Sequence, residues 1–82
     1  MHIEFTLPNG SAGQAAAYTR KRIELSIREW VQRNSITDYD IRTNVNNSYV
    51  LAFTLSEKQL YTLFLLAWNE PNLPKPRMVL HW

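Results

Sequence analysis

Nine consecutive residues, Leu60-Tyr61-Thr62-Leu63-Phe64-Leu65-Leu66-Ala67-Trp68, constrain the fold of this chain more than any other stretch. All but Thr62 are apolar. Polar turn material bounds the run, Ser56-Glu57-Lys58-Gln59 before it and Asn69-Glu70-Pro71-Asn72 after. A segment apolar on every side must be covered on every side. It is also about half as long as the roughly 20 residues a membrane helix needs, so no membrane partner is expected.

The rest of the chain supplies what could cover it. His2 to Leu7 alternates strictly, with Ile3, Phe5 and Leu7 on one side and His2, Glu4 and Thr6 on the other, as a half-buried strand does. Pro8-Asn9-Gly10 ends it with turn chemistry, and Ser11-Ala12-Gly13-Gln14 has the capping-box form that opens a helix. From Ala12 to about Asn34, Ala16, Ile23, Ile27 and Trp30 fall on one helical stripe flanked by Val31. On the other side Glu24 with Arg28 and Glu29 with Arg33 are spaced for i,i+4 ion pairs.

Tyr39 to Val45 alternates again, Asn46-Asn47-Ser48 reads as a turn, and Tyr49 to Leu55 reads as a strand. A three-residue loop pairs Val45 with Tyr49 and Ile41 with Phe53, bringing the larger apolar groups together. Pro71, Pro74 and Pro76 keep the next segment extended. Arg77 to His81 then forms an optional short edge strand with Met78 and Leu80 inward.

The nine-residue run therefore has two readings. With Ser56-Glu57-Lys58-Gln59 as a second capping box it is a helix, and the chain is β-α-β-β-α-β, the ferredoxin-like arrangement. With Ser56–Gln59 as a hairpin loop it is a strand pairing Leu55 with Leu60 and Leu51 with Phe64. A helix on the outside of a two-layer domain should show a polar face, and residues 60–68 show none. The strand is the expectation. It gives a single α+β domain over residues 1–82, with an antiparallel sheet of four to five strands and one long helix on one face.

Composition narrows the function. The 82 residues are 45% hydrophobic and 20% charged, ordinary globular values that argue against disorder. No cysteine is present, which removes thiolate metal sites and cysteine nucleophiles and fits a reducing cytoplasm. Met1-His2-Ile3-Glu4 already alternates, so no leader is read at the start. The net charge of +2 does not require a polyanionic partner.

Motifs for chemistry are sparse. Asn9-Gly10-Ser11-Ala12-Gly13 could hold an anion at a helix N-terminus but lacks the glycine spacing or lysine of a nucleotide loop. His2 and His81, with Glu4, could meet if the first and last strands are neighbours, but the expected reading is solvent-facing histidines and no metal. Asp38 and Asp40 read as surface carboxylates. Pro71-Asn72-Leu73-Pro74 reads as a stiff connection rather than a docking motif. With no nucleophile-and-base set, an enzyme is not expected, and no cofactor is implied.

Two binding surfaces remain. A sheet covered on one face leaves the other open, and under the strand reading that face carries Val50, Ala52, Tyr61, Leu63 and Leu65, with Trp68 and Trp82 as aromatic anchors. Such contiguous apolar area marks a protein interface, with a partner or with a second copy. The alternative is nucleic acid held by Arg20, Lys21, Arg22 and Arg28. Base stacking on the sheet is not expected, because its open face presents Glu4, Thr6, Val50, Ala52 and Thr54.

The opening His2-Ile3-Glu4-Phe5-Thr6-Leu7-Pro8-Asn9-Gly10-Ser11, its Ala-rich helix, and Tyr61-Thr62-Leu63-Phe64 with Ala67-Trp68-Asn69 resemble small uncharacterised proteins encoded by tailed phages of the cyanophage type. The resemblance implies a phage accessory protein in the host cytoplasm that binds a host or phage protein. It transfers no catalytic residue.

Overall fold

A computed structural model describes residues 1–7, 13–44 and 47–80, with side chains for all of these except 13–16, 44 and 47–49. Six elements follow one another: β1 (His2–Thr6), α1 (Gly13–Arg33), β2 (Tyr39–Asn44), β3 (Asn47–Leu55), α2 (Lys58–Ala67) and β4 (Arg77–Val79). The strands form one antiparallel sheet in the order β2-β3-β1-β4. This is the ferredoxin-like β-α-β-β-α-β arrangement, with each helix joining two parallel strands across an intervening one. The α+β class, the four-stranded antiparallel sheet and the long helix on one face are as expected.

The strand reading of residues 60–68 is overturned, since residues 58–67 are helix. The sheet explains why. Leu51 lies opposite Phe5 of β1 on one side and Thr43 of β2 on the other, so β3 has no free edge for a further hairpin partner. The expected Leu51–Phe64 and Leu55–Leu60 pairs therefore cannot form. Instead the chain crosses from β3 to β4 over the sheet, and a crossover between parallel strands is usually helical. The capping box fails as well: Glu57 takes the N-cap position and makes no side-chain cap bond. What holds α2 is its buried side. Tyr61 and Phe64, three residues apart, are almost fully enclosed, while Leu60, Leu65 and Trp68 pack partly against the core.

Alternation decides the sheet faces. Ile3 and Phe5 of β1, Leu51, Phe53 and Leu55 of β3, and Met78 of β4 share a cluster with Ile23, Ile27, Trp30 and Val31 of α1. Both helices thus lie on one face. The stripe read from Ile23 to Val31 is the buried side of α1, whereas Ala16 and the Ser11 cap lie outside the described side chains. Ile41 opposes Phe53, as the hairpin reading required, and that register holds from Tyr39–Leu55 to Thr43–Leu51. It breaks at Thr43/Asn44, where Asn44 opposes Asn47. Asn47 is accordingly strand rather than turn, and the Val45–Tyr49 pair falls outside the described residues. Leu80 also departs from expectation: β4 ends at Val79, and Leu80 is 70% exposed.

Hydrogen bonds close the end of α1 and tie the first turn of α2 to the sheet. Ser35 adopts φ 56°, its N–H donates to the Gln32 carbonyl, and the Ile36 N–H donates to the Val31 carbonyl. That is a Schellman closure, with Ile36 packing back on the core beyond it. At the start of α2 the Tyr61 hydroxyl accepts from the Leu55 N–H at 2.9 Å, with the Met1 and Leu55 carbonyls each 3.1 Å away as acceptors for its own proton. One phenol thus joins the start of β1, the end of β3 and α2.

Phe64→Ala should lower unfolding free energy by about 3–5 kcal/mol, the range for emptying a large buried aromatic site. Chemical denaturation checks this, with a midpoint shift at unchanged slope as the expected form. Ser35→Gly should act oppositely. It relieves a left-handed conformation costing roughly 1–2 kcal/mol and gives back part of that as chain entropy, for a gain of up to about 1 kcal/mol.

Candidate functional site

Among the described residues, the face of the sheet opposite the helices is built from those that alternate away from the core. Asp40 and Arg42 of β2, Ala52 and Thr54 of β3, Glu4 and Thr6 of β1, and Arg77 of β4 fall there by register. Val50 lies opposite Thr6 and is half-buried, and Ala52 lies opposite Glu4 and is nearly enclosed. The face is mainly polar rather than the apolar surface expected. Its centre is an ion cluster: the Glu4 carboxylate accepts from His2 Nε2 at 2.9 Å and from an Arg77 terminal nitrogen at 3.1 Å. A carboxylate only accepts, so Nε2 carries the hydrogen. The His2 bond is the main reason that the Glu4 carboxyl is held below its ordinary pKa. Desolvation opposes that effect, and Arg77 adds to it.

His2 is 3% exposed, so it is not the solvent group expected. The first and last strands are neighbours, with His2 opposite Val79, while His81 lies outside the described residues. Among the described residues no group of three histidine or acidic side chains is placed to hold a metal.

The other predicted interface residues do not join this face. Tyr61 is buried in the core, Leu65 is half-buried on the side of α2, and Leu63 points outward from α2. Trp68 packs at a tilt against Phe5 and Phe64, at 4.9 and 5.6 Å between ring centres, so it belongs to the core side of α2. Trp82 lies outside the described residues. On the outward side of α2, Leu63 is 54% and Leu66 is 79% exposed. Gln59 and Thr62 flank them, and no charge occurs from Gln59 to Trp68. Tyr18 and Leu25, seven residues apart on α1, are also largely exposed. Leu66 was not singled out in the sequence; helical spacing from buried Tyr61 and Phe64 is the signal that would have found it.

No protein-family model, curated protein or solved structure matches this chain significantly.

The basic residues of α1 do not form one surface. Lys21 and Arg28 share a side, seven residues apart, whereas Arg22 lies roughly opposite Arg20 around the helix. Arg20 is half-buried with its Nε enclosed, and an Arg28 terminal nitrogen donates to the Tyr39 hydroxyl at 3.3 Å. Neither Glu24–Arg28 nor Glu29–Arg33 closes to ion-pair distance; the described pairs are His2–Glu4, Asp40–Arg42 and Glu4–Arg77. The Asn9–Gly13 turn lies largely outside the described residues.

A cleft of about 350 Å³ lies between the helices, with Ser26, Glu29, Arg33 and Glu70 around Trp30 and Trp68. Ser26 Oγ donates to Glu70 at 2.9 Å, tying α1 to the loop after α2. Among the described residues lining the cleft, no histidine or lysine joins that pair. Among the described residues no helix is long and apolar enough to cross a membrane.

The Glu4 cluster has a pH signature. A carboxyl with a depressed folded pKa contributes stability above its unfolded value and loses it as pH falls through the folded one. Stability should therefore drop as pH is lowered from about 5 to 3, around the ordinary glutamate range. Glu4→Gln should flatten that part of the profile, as measured by thermal melts across the series.

Proposed function

We propose that this chain is a non-enzymatic protein-interaction module whose docking element is the outward face of α2. One observation carries the reading: a helix packed on the sheet by Tyr61 and Phe64 leaves Leu63 and Leu66 in solvent, in a stretch with no charged residue from Gln59 to Trp68. Outer helices normally place charged residues there. Two leucines at i and i+3 are the anchors an amphipathic helix lays into an apolar groove of a partner. Tyr18 and Leu25 are likewise exposed on α1.

The sequence resemblance to tailed-phage accessory proteins suits this reading. It makes the partner a host or phage protein and the working compartment the host cytoplasm. Nucleic-acid binding through Arg20, Lys21, Arg22 and Arg28 is the weaker alternative, because their dispersal around α1 gives no shared phosphate track.

Leu63→Lys/Leu66→Lys tests the proposal. Leu66 is mostly in solvent, so its substitution should change stability by no more than about 0.5 kcal/mol. Affinity capture from host lysate should recover a partner with the unmodified chain. The double variant should lose it, with affinity at least roughly tenfold weaker if these leucines are central anchors. Equal recovery by both proteins would remove α2 as the docking element.

A further inference from the structure

Of the two outer strands of the described sheet, β4 is short, three residues preceded by Pro74-Lys75-Pro76. Proline before an edge strand removes ladder donors and discourages further pairing. β2 is six residues long, contains no proline, and pairs only with β3 among the described residues. Its other side presents backbone N–H and C=O groups that a further strand would satisfy. The regular part of its ladder runs from Tyr39 to Thr43 and ends at the irregularity between Thr43 and Asn44. Ile41 is the midpoint of that stretch.

On the open face of this strand stand Asp40 and Arg42, both well exposed, one residue to either side of Ile41. A two-fold axis through Ile41 would bring a second β2 alongside in antiparallel register. Asp40 would then oppose Arg42 of the second copy, and Arg42 would oppose its Asp40. Opposite charges directly across an antiparallel pair are favourable, and like charges there are not. The pattern is therefore complementary to itself, as an isologous contact requires. On the helix side Tyr39 would meet Thr43 of the second copy. Tyr39 also borders a groove of about 460 Å³ lined by Arg28, Val31, Ile36 and neighbouring residues of the α1–β2 connection. Tyr39 is the only β2 residue among those lining it.

We infer that the β2 edge is a self-association surface. Two copies pair antiparallel about Ile41, joining two four-stranded sheets into one of eight strands. The contact uses a different surface from the α2 face, so each can fail without the other.

Sedimentation equilibrium or light scattering at sub-millimolar concentration tests it, expecting a species of twice the 9.7 kDa chain mass. Asp40→Arg alone sets Arg against Arg at both symmetry-related positions, and Arg42→Asp alone sets Asp against Asp. Each should weaken the dimer by roughly tenfold or more, and the combined D40R/R42D should restore it to within about threefold. Both side chains are solvent-exposed, so thermal melts should show all three variants folded. A strictly monomeric unmodified chain overturns the inference. So does a dimer that tolerates both single variants. If that tolerant dimer is instead dissolved by Leu63→Lys/Leu66→Lys, copies meet through α2, and only the β2 inference has failed.

Discussion

Phe64 is the contact on which the arrangement depends. Its ring lies 6.3 Å from Phe5 of β1, 5.0 Å from Phe53 of β3 and 5.1 Å from Trp30 of α1, mostly edge to face. Each of these comes from a different element, so one ring joins α2 to β1, β3 and α1. Aromatic pairs in such geometry add about 0.5–1.5 kcal/mol beyond the area they bury. The cluster also aligns α2 along the sheet. Because its phenol hydrogen-bonds the end of β3, Tyr61 sets where the helix begins. Phe64 then sets which side faces inward, and Trp68 closes the helix with its N–H on the Phe64 carbonyl. Leu63 and Leu66 are exposed because Tyr61 and Phe64 are not.

Much of this was legible in the residues. Strict alternation in His2–Leu7 gave β1 and its faces, the stripe through Ile23, Ile27 and Trp30 gave the buried side of α1, and pairing the bulkier groups gave the Ile41–Phe53 register. Each is a local pattern with a single consistent period. Residues 60–68 carry no such period, since a segment apolar all round fits a buried strand and a helix equally. What separates the two is the occupancy of both edges of β3 by β1 and β2. That is a property of the finished sheet, and β1 reaches its place only by pairing residues some fifty positions away. An outer helix ordinarily shows a charged or polar face, and α2 departs from that rule with Leu63 and Leu66 in solvent.

That departure moved the candidate surface. Under a strand reading the apolar excess accumulates on the open sheet face, with Tyr61, Leu63 and Leu65 beside Val50 and Ala52. In the helix the same residues are divided: Tyr61 goes inward, Leu65 lies at the boundary, and Leu63 goes outward. The opposite face of the sheet carries Asp40 and Arg42 in solvent and Glu4 held between His2 and Arg77. Exposed leucines, Leu63 and Leu66, still exist, but they lie on the helical layer of the molecule.

The charged residues of the open face have a second consequence at its border. A bare strand edge accepts almost any strand, which is why charges commonly guard edges. Asp40 and Arg42 guard β2 against an apolar strand, which would leave both charges without counter-ions across the ladder. They do not guard it against a strand carrying the same two charges in reverse order, and an antiparallel copy of β2 carries just that order. In isolation the pair is satisfied within its own strand, where an exposed ion pair contributes at most about 1 kcal/mol. Little is therefore lost in exchanging the internal partner for an external one. The alternation that keeps β2 from indiscriminate pairing is what makes pairing with itself selective.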